Sequence, residues 1–388
     1  MNTHSEKARV VTLLTLEELE KIRESWIQIQ RHPNSDFDRY KSYIEAKKGN
    51  SQPYVLVLFD KENIRSILVG RREPLTFDFG LGYKPMKSIK VSSLTFIHGG
   101  HLGDESDQAS QMLIDQVLSG LKNGDADVAY FNHYTQESCL FSAITSMPTK
   151  LCRDTIFITR KHWMMTMPGS LEEFLSRMIA KHRYWLKRIK KVLEKEYPGQ
   201  VKYRMIRSAD EVAELCRDAE EVAQKTYQRS LGVGFRNSND TLDWLNSLAA
   251  KNRLRGYLLY VKETPTAFWI GNIHNKSFHL DYTGFDPDYR KHEVGTVLFL
   301  EMLNDLCVHD SGQIINIDFG LGDAQYKQRF GDASWTEAAA YIYAPTVRGI
   351  SLNLFNKSNK VAWKKAEEIL DRLKLKQTVK TLWRRRLS

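Results

Sequence analysis

The chain has 388 residues, enough for two to three domains with sizeable cores that need no disulfide or metal staples. Hydrophobic residues at 42%, charged at 27% and aromatic at 11% exclude disordered, collagen-like and small disulfide-bonded classes. The formal charge of +10 is concentrated: residues 170–197 carry eight Lys/Arg against four acids and residues 357–388 eleven against three. The remainder is near neutral, so a nucleic-acid surface spread over the whole body is not indicated.

In chain order, residues 14–31 have helical apolar spacing at Leu19, Ile22, Trp26 and Ile29, and 37–46 read as a second helix. Strands are expected at 54–59, 64–70 and 94–97, the last broken by His98-Gly99-Gly100-His101, before a helix at 108–121 and a strand at 126–132. Ser170 and Glu173 stand in capping-box spacing and open a basic helix that ends at Tyr197-Pro198-Gly199. Its cations are either a solvated face or an anion-binding one. The second half repeats the order of the first: strand 201–206, helices 209–227 and 241–251, strands 255–261, 267–273 and 278–285, helix 295–308, strand 314–319. The fold class expected is therefore mixed α/β, in two similar units.

Cys139, Cys152, Cys216 and Cys307 form no C-x-x-C pair, and residues 1–10 are polar, which together read as a reduced, cytoplasmic chain. No apolar run approaches the roughly 18–20 residues of a membrane span, so membrane contact would be peripheral. His98 and His101 near Asp104 lack further ligands, so no metal is expected. Asp318-Phe319-Gly320 matches a kinase magnesium motif, but no H-R-D loop precedes it. Gly80/Gly82, Gly232/Gly234 and Gly320/Gly322 read as turns.

The most informative stretch is 278–332. A strand that runs through a kinked loop into a helix leaves the helix's first N–H groups pointing into the loop, where an anion fits. Here that loop is Arg290-Lys291-His292-Glu293-Val294-Gly295-Thr296. If 278–285 is a regular strand, alternation puts either Asp281 or Tyr282 on the cleft side, but not both.

This turn resembles the one that holds the coenzyme A pyrophosphate in the GNAT acyltransferase superfamily. His292 stands where Gln or Arg is usual, and Val297 replaces the second small residue. The longer string (a strand tyrosine, G-F-D-P, D-F-G-x-G-D and Y-K-x-x-F-G) is similar to the tandem-GNAT branch of Fem aminoacyl transferases and CelD/BcsL-type acetyltransferases. The resemblance covers about residues 10–344, and relatives also carry a basic helix near Lys181-His182-Arg183.

The resemblance implies two GNAT-like domains: a degenerate one at 1–167, a basic linker helix at 168–199, a catalytic domain at 200–350 and a basic tail at 351–388. It implies acetyl-CoA or another acyl-CoA as donor, held by Arg290, Lys291, Gly295 and Thr296. Tyr326 would lie near the thioester sulfur, or pack on the sheet. Lys327 would stabilise negative charge, Tyr282 would join the catalytic group, and Arg183 and Asp318 would contact substrate. Asp281, Asp318 and Asp323 compete as general base, with Asp323 first because it sits in a loop at a strand end.

The expected activity is acyl transfer to an amino or hydroxyl group of an envelope or polysaccharide precursor, with a saccharide, peptide or small-molecule acceptor. Two alternatives stand: a Fem-type transferase using aminoacyl-tRNA, and a noncatalytic module binding anions or membranes. The tail has near-helical apolar spacing among many cations. It is expected to dock on the body over 358–375 and to meet an anionic membrane at Trp383-Arg384-Arg385-Arg386.

Overall fold

The computed structural model describes residues 8–47, 49–79, 87–226, 229 and 233–372. Gly80, Gly82, Tyr227, Gly232 and the 373–388 end of the tail lie outside them. Among the described residues contacts divide the chain into two units, 8–161 with 335–372 and 162–334.

In the first unit the strands are β1 (Arg9–Leu13), β2 (Gln52–Pro53), β3 (Val55–Asp60), β4 (Asn63–Phe79), β5 (Lys87–Gly103) and β6 (Val128–Thr135). They run in the order β1-β3-β4-β5-β6, with β2 on β4. Among these described strands only β5 and β6 are parallel, over Ser93–Phe96 and Val128–Phe131. The chain between them forms the Asp107–Asn123 helix, capped by Ser106 and ended at left-handed Gly124. Leu113, Ile114, Val117 and Leu121 are buried on the strands, with Phe96 stacked on Phe131 at 4.8 Å. The expected break at 98–101 is a bulge within β5, where residues 97–100 stand opposite Val69 alone. Gly99 has φ +69°, and a Cβ there would lie 2.5 Å from the His32 ring, so the bulge needs glycine.

The second unit takes β7 (Ile158–Thr166) from His162 onward. It then adds β8 (Val201–Ile206), β9 (Leu254–Val261), β10 (Thr264–His274), β11 (Ser277–Phe285) and β12 (Asn316–Leu321). The sheet order is β7-β12-β11-β10-β9-β8, antiparallel except for β11 beside β12. The Val294–His309 helix joins those two strands. It is apolar all round because sheet covers one side and the Leu171–Ser176 and Ala180–Glu196 helices the other. The expected single basic helix is thus two helices inside this unit. Their break follows Arg177, whose guanidinium turns back to Glu173 and the Thr166 carbonyl.

The last strand, β13 (Ala333–Tyr343), returns from Trp335 to the first unit and lies antiparallel to β6, with Glu337 opposite Thr135 and Tyr343 opposite Val128. The Val347–Arg372 helix follows and docks there. Leu352 is buried, Asn353 donates to the Leu151 carbonyl at 2.8 Å, and Lys360 pairs with Asp154 at 2.9 Å. Residues 335–350, expected with the second domain, therefore pack with the first. Among the described residues no helix is long and apolar enough to cross a membrane.

Candidate active site

β11 and β12 pair in parallel over three positions only, Ser277–His279 against Asn316–Asp318. Both strands bulge immediately afterwards. On β11, Tyr282 faces Ile270 and Leu280 faces Gly271, leaving Asp281 as an extra residue. The crowding requires Gly271, since a Cβ there would lie 2.4 Å from the His279 carbonyl. On β12, Asp318 faces Met164 and Gly320 faces Trp163, leaving Phe319 as the extra residue. The added residues bend the strands, and the ladder between them ends.

A cavity of about 260 Å³ occupies the opening, lined by Phe235, residues 280–283 and 319–321, Tyr326 and Lys327. The cavity thus receives both Asp281 and Tyr282, contrary to the alternation expected of a regular strand. The bulge cancels the two-residue period at that point. Asp281 accepts a hydrogen bond from Asn272 Nδ2 at 2.8 Å, and the Tyr282 ring meets Phe235 edge-on at 5.3 Å.

The far wall comes from the Gln325–Phe330 helix. Lys327, 7% exposed, donates to the carbonyls of Gly320 (3.1 Å) and Leu321 (2.7 Å) at the frayed end of β12. Burial pulls its ammonium down to about 8, against the opposing pull of Asp318 and Asp323. Tyr326 packs edge-on against Trp269 at 5.2 Å and Phe319 at 5.9 Å while lining the cavity. The indole of Trp269 donates to the Gly295 carbonyl at 3.1 Å. One tryptophan therefore touches both the helix-entry turn and the Tyr326-Lys327 segment.

At that turn Glu293 is left-handed (φ 53°) and gives the Val294–His309 helix no side-chain cap. The Val294 and Gly295 N–H groups therefore face the turn, while those of Thr296 and Val297 donate to the Glu293 carbonyl at 2.8 and 2.9 Å. Thr296 and Glu293 bond at 3.2 Å, and Arg329 lies 3.8 Å from Glu293. Arg290 is exposed. Lys291 is turned to Glu196 at 2.9 Å, and His292 is buried between the rings of Tyr197 and Tyr289. Asp323 is exposed and accepts from Trp163 Nε1 at 3.2 Å, off the cavity lining. Arg183 is half-buried in the first turn of its helix, also off the lining.

Asp318 is fixed behind the cleft by His162 (2.6 Å), His279 (3.2 Å) and the Gly320 N–H (2.7 Å). Burial works against its charge, but the two histidines prevail and hold the carboxyl well below the usual range. Asp318→Ala strands these donors and is expected to cost about 3 kcal/mol, read as a lowered urea midpoint. The stability this carboxylate adds is present above the unfolded value near pH ~4 and lost only in stronger acid.

Sequence reasoning missed Trp269, Asn272 and Arg329. Trp269 and Asn272 sit in no motif and Arg329 occupies a variable position of Y-K-x-x-F-G, so only the register of β10 and the packing of the short helix bring them in.

Residues 180–328 match the family Acetyltransf_6, described as Acetyltransferase (GNAT) domain, so this stretch carries a GNAT-type acetyltransferase domain. The fold is similar to that of FemX, at 9% identity over 83% of this chain and 95% of that one, TM-score 0.53. It is also similar to the C-terminal domain of a proposed lysylphosphatidylglycerol synthetase from Agrobacterium fabrum, at 12% identity over 88% and 95%, TM-score 0.51. No curated protein sequence matches the chain.

Proposed function

We propose that the protein transfers an acetyl or other acyl group from acyl-CoA to an amino or hydroxyl group, within the second unit. The observation that carries this reading is the cavity between β11 and β12, whose Tyr326 wall shares Trp269 with the Gly295 turn. The residues present fit such a donor: the helix start has no side-chain cap, exposed Arg290 belongs to the turn, and Arg329 contributes if it leaves Glu293. Lys291 contributes only if it leaves Glu196.

An acyl-CoA supplies an activated thioester carbonyl. The Lys327 ammonium stabilises negative charge developing on the carbonyl oxygen. Asp281, on the cavity wall where Asp323 is not, takes the proton of the attacking group. The Tyr326 hydroxyl protonates the departing sulfur, and Tyr282 shapes the acceptor end. We retain a saccharide or envelope precursor as the acceptor, in keeping with the CelD/BcsL-type resemblance.

The first unit supports the assignment of donor binding to the second. Its corresponding helix is preceded by Asp104 and Glu105 and begins at Asp107. It is closed by its own groups, since Ser106 Oγ accepts from Ala109 N–H and Asp104 from Ser106 N–H. The second unit's turn also holds an acid, Glu293, but has Arg329 beside it and no side-chain cap on the helix.

The test is a thermal-shift comparison of acetyl-CoA, longer acyl-CoAs, coenzyme A and aminoacyl-tRNA. A ligand at 100 times its Kd adds about 2.7 kcal/mol, so acyl-CoA is expected to raise the midpoint. A rise with aminoacyl-tRNA alone would transfer the donor role to tRNA. A Cβ at Gly295 would meet only Phe285, at 3.5 Å, so Gly295→Ala is expected to fold normally. Gly295→Glu puts an anion at the turn and is expected to raise the donor KM about tenfold with little change in kcat, corresponding to roughly 1.4 kcal/mol.

A further inference from the structure

The Val347–Arg372 helix docks on the first unit through Leu352, Asn353, Asn356 and Lys360. Its opposite face holds large apolar side chains in water: Val347 is 85% exposed, Leu354 53%, Phe355 62% and Val361 37%. Val347, Leu354 and Val361 recur every seven residues, which places them along one line of the helix, with Phe355 beside it. Lys357, Lys364 and Lys365 are exposed among them. From Val347 to Lys365 the sequence has five Lys/Arg and no Asp or Glu. The next seven-residue step is the exposed Glu368, in a stretch, 366–372, with three acids and one Arg; from Leu373 to Ser388 follow six more Lys/Arg, no acid and Trp383, so the apolar and basic part of the face is its 347–365 portion.

We infer that this face lies on an anionic phospholipid surface, with Leu354 and Phe355 entering the headgroup boundary and the lysines meeting lipid phosphates. Charge complementarity selects the occupant. A second copy docking stripe to stripe would bring the same lysines together, whereas anionic headgroups neutralise them. A nucleic acid would satisfy the cations but leave Val347, Leu354 and Val361 against phosphate. The inference is independent of the acyl-transfer reading.

The test is co-sedimentation of the full chain with vesicles of phosphatidylcholine, with and without phosphatidylglycerol. Binding is expected only with phosphatidylglycerol, falling at least about tenfold when salt shortens the Debye length from ~10 Å to ~3 Å. Leu354→Glu with Phe355→Glu changes exposed residues only; it is expected to keep the thermal midpoint and lose about tenfold in vesicle binding. Lys357→Glu with Lys364→Glu is expected to do the same. Undiminished binding by the Leu354/Phe355 variant would overturn the inference and move any lipid contact to residues 373–388. Equal binding to neutral vesicles, or a dimer that the variant dissociates, would also overturn it.

Discussion

Lys327→Met is expected to lower kcat by about 10²- to 10³-fold, the range for removing one donor aimed at developing negative charge, while the protein remains folded. Lys327 is buried, and its ammonium sits near 8 rather than 10.5. The wild-type rate should therefore fall as pH rises through about 8, where the charge is lost, and the residual activity of the variant should lack that limb. Lys327→Arg, which stays charged, should move the limb upward. Stability has the opposite sign. Between pH 8 and 10.5 the unfolded chain binds the proton more readily than the folded one. Over that interval the wild type should gain up to about 3 kcal/mol relative to Lys327→Met. Paired urea titrations at pH 7 and pH 10 read this difference.

Asp310→Ala is expected to cause one of the larger losses of stability, about 3–5 kcal/mol, because it leaves a buried guanidinium without a carboxylate. Arg255 and Asp310 are 2% and 1% exposed and bond in a two-pronged fork, at 2.8 Å and 2.5 Å. Arg255 also donates to the Leu254 carbonyl at 2.7 Å. Next to the fork, Asp305 receives Arg207 at 2.6 Å and the Tyr257 hydroxyl at 2.8 Å. This cluster ties the C-terminal end of the Val294–His309 helix to β9, and the N-terminal end of that helix is the proposed donor turn. Arg255→Met with Asp310→Leu removes both charges and should recover most of the loss in a urea melt.

The mixed α/β class and the repeated order of elements were legible because they depend on local periodicity. The Val294–His309 helix and the buried β12 announce themselves by apolar content alone. The β4–β5 hairpin did not, since Arg71, Arg72, Glu73 and Lys90 interrupt the alternation that Leu75, Phe77, Ile89 and Val91 maintain. Nor did the return of β13 to the first unit, because an Ala-Ala-Ala-Tyr-Ile-Tyr run says nothing of which sheet it joins.

The site divides in the same way. Tyr326, Lys327 and Gly295 could be named from their places after a strand and before a helix. Asp281 and Tyr282 lining one cavity could not, because that depends on a bulge set by Gly271 and the neighbouring strand. The pairing of Lys291 with Glu196, 95 positions earlier, is likewise a tertiary fact.

Hydrogen exchange with and without acetyl-CoA tests most directly whether the helix-entry turn and the Tyr326-Lys327 wall serve one donor. Added acetyl-CoA is expected to slow exchange in both 290–297 and 319–328, and Gly295→Glu should weaken both protections together. Protection of one segment without the other, or of neither at saturating donor, would contradict a shared site.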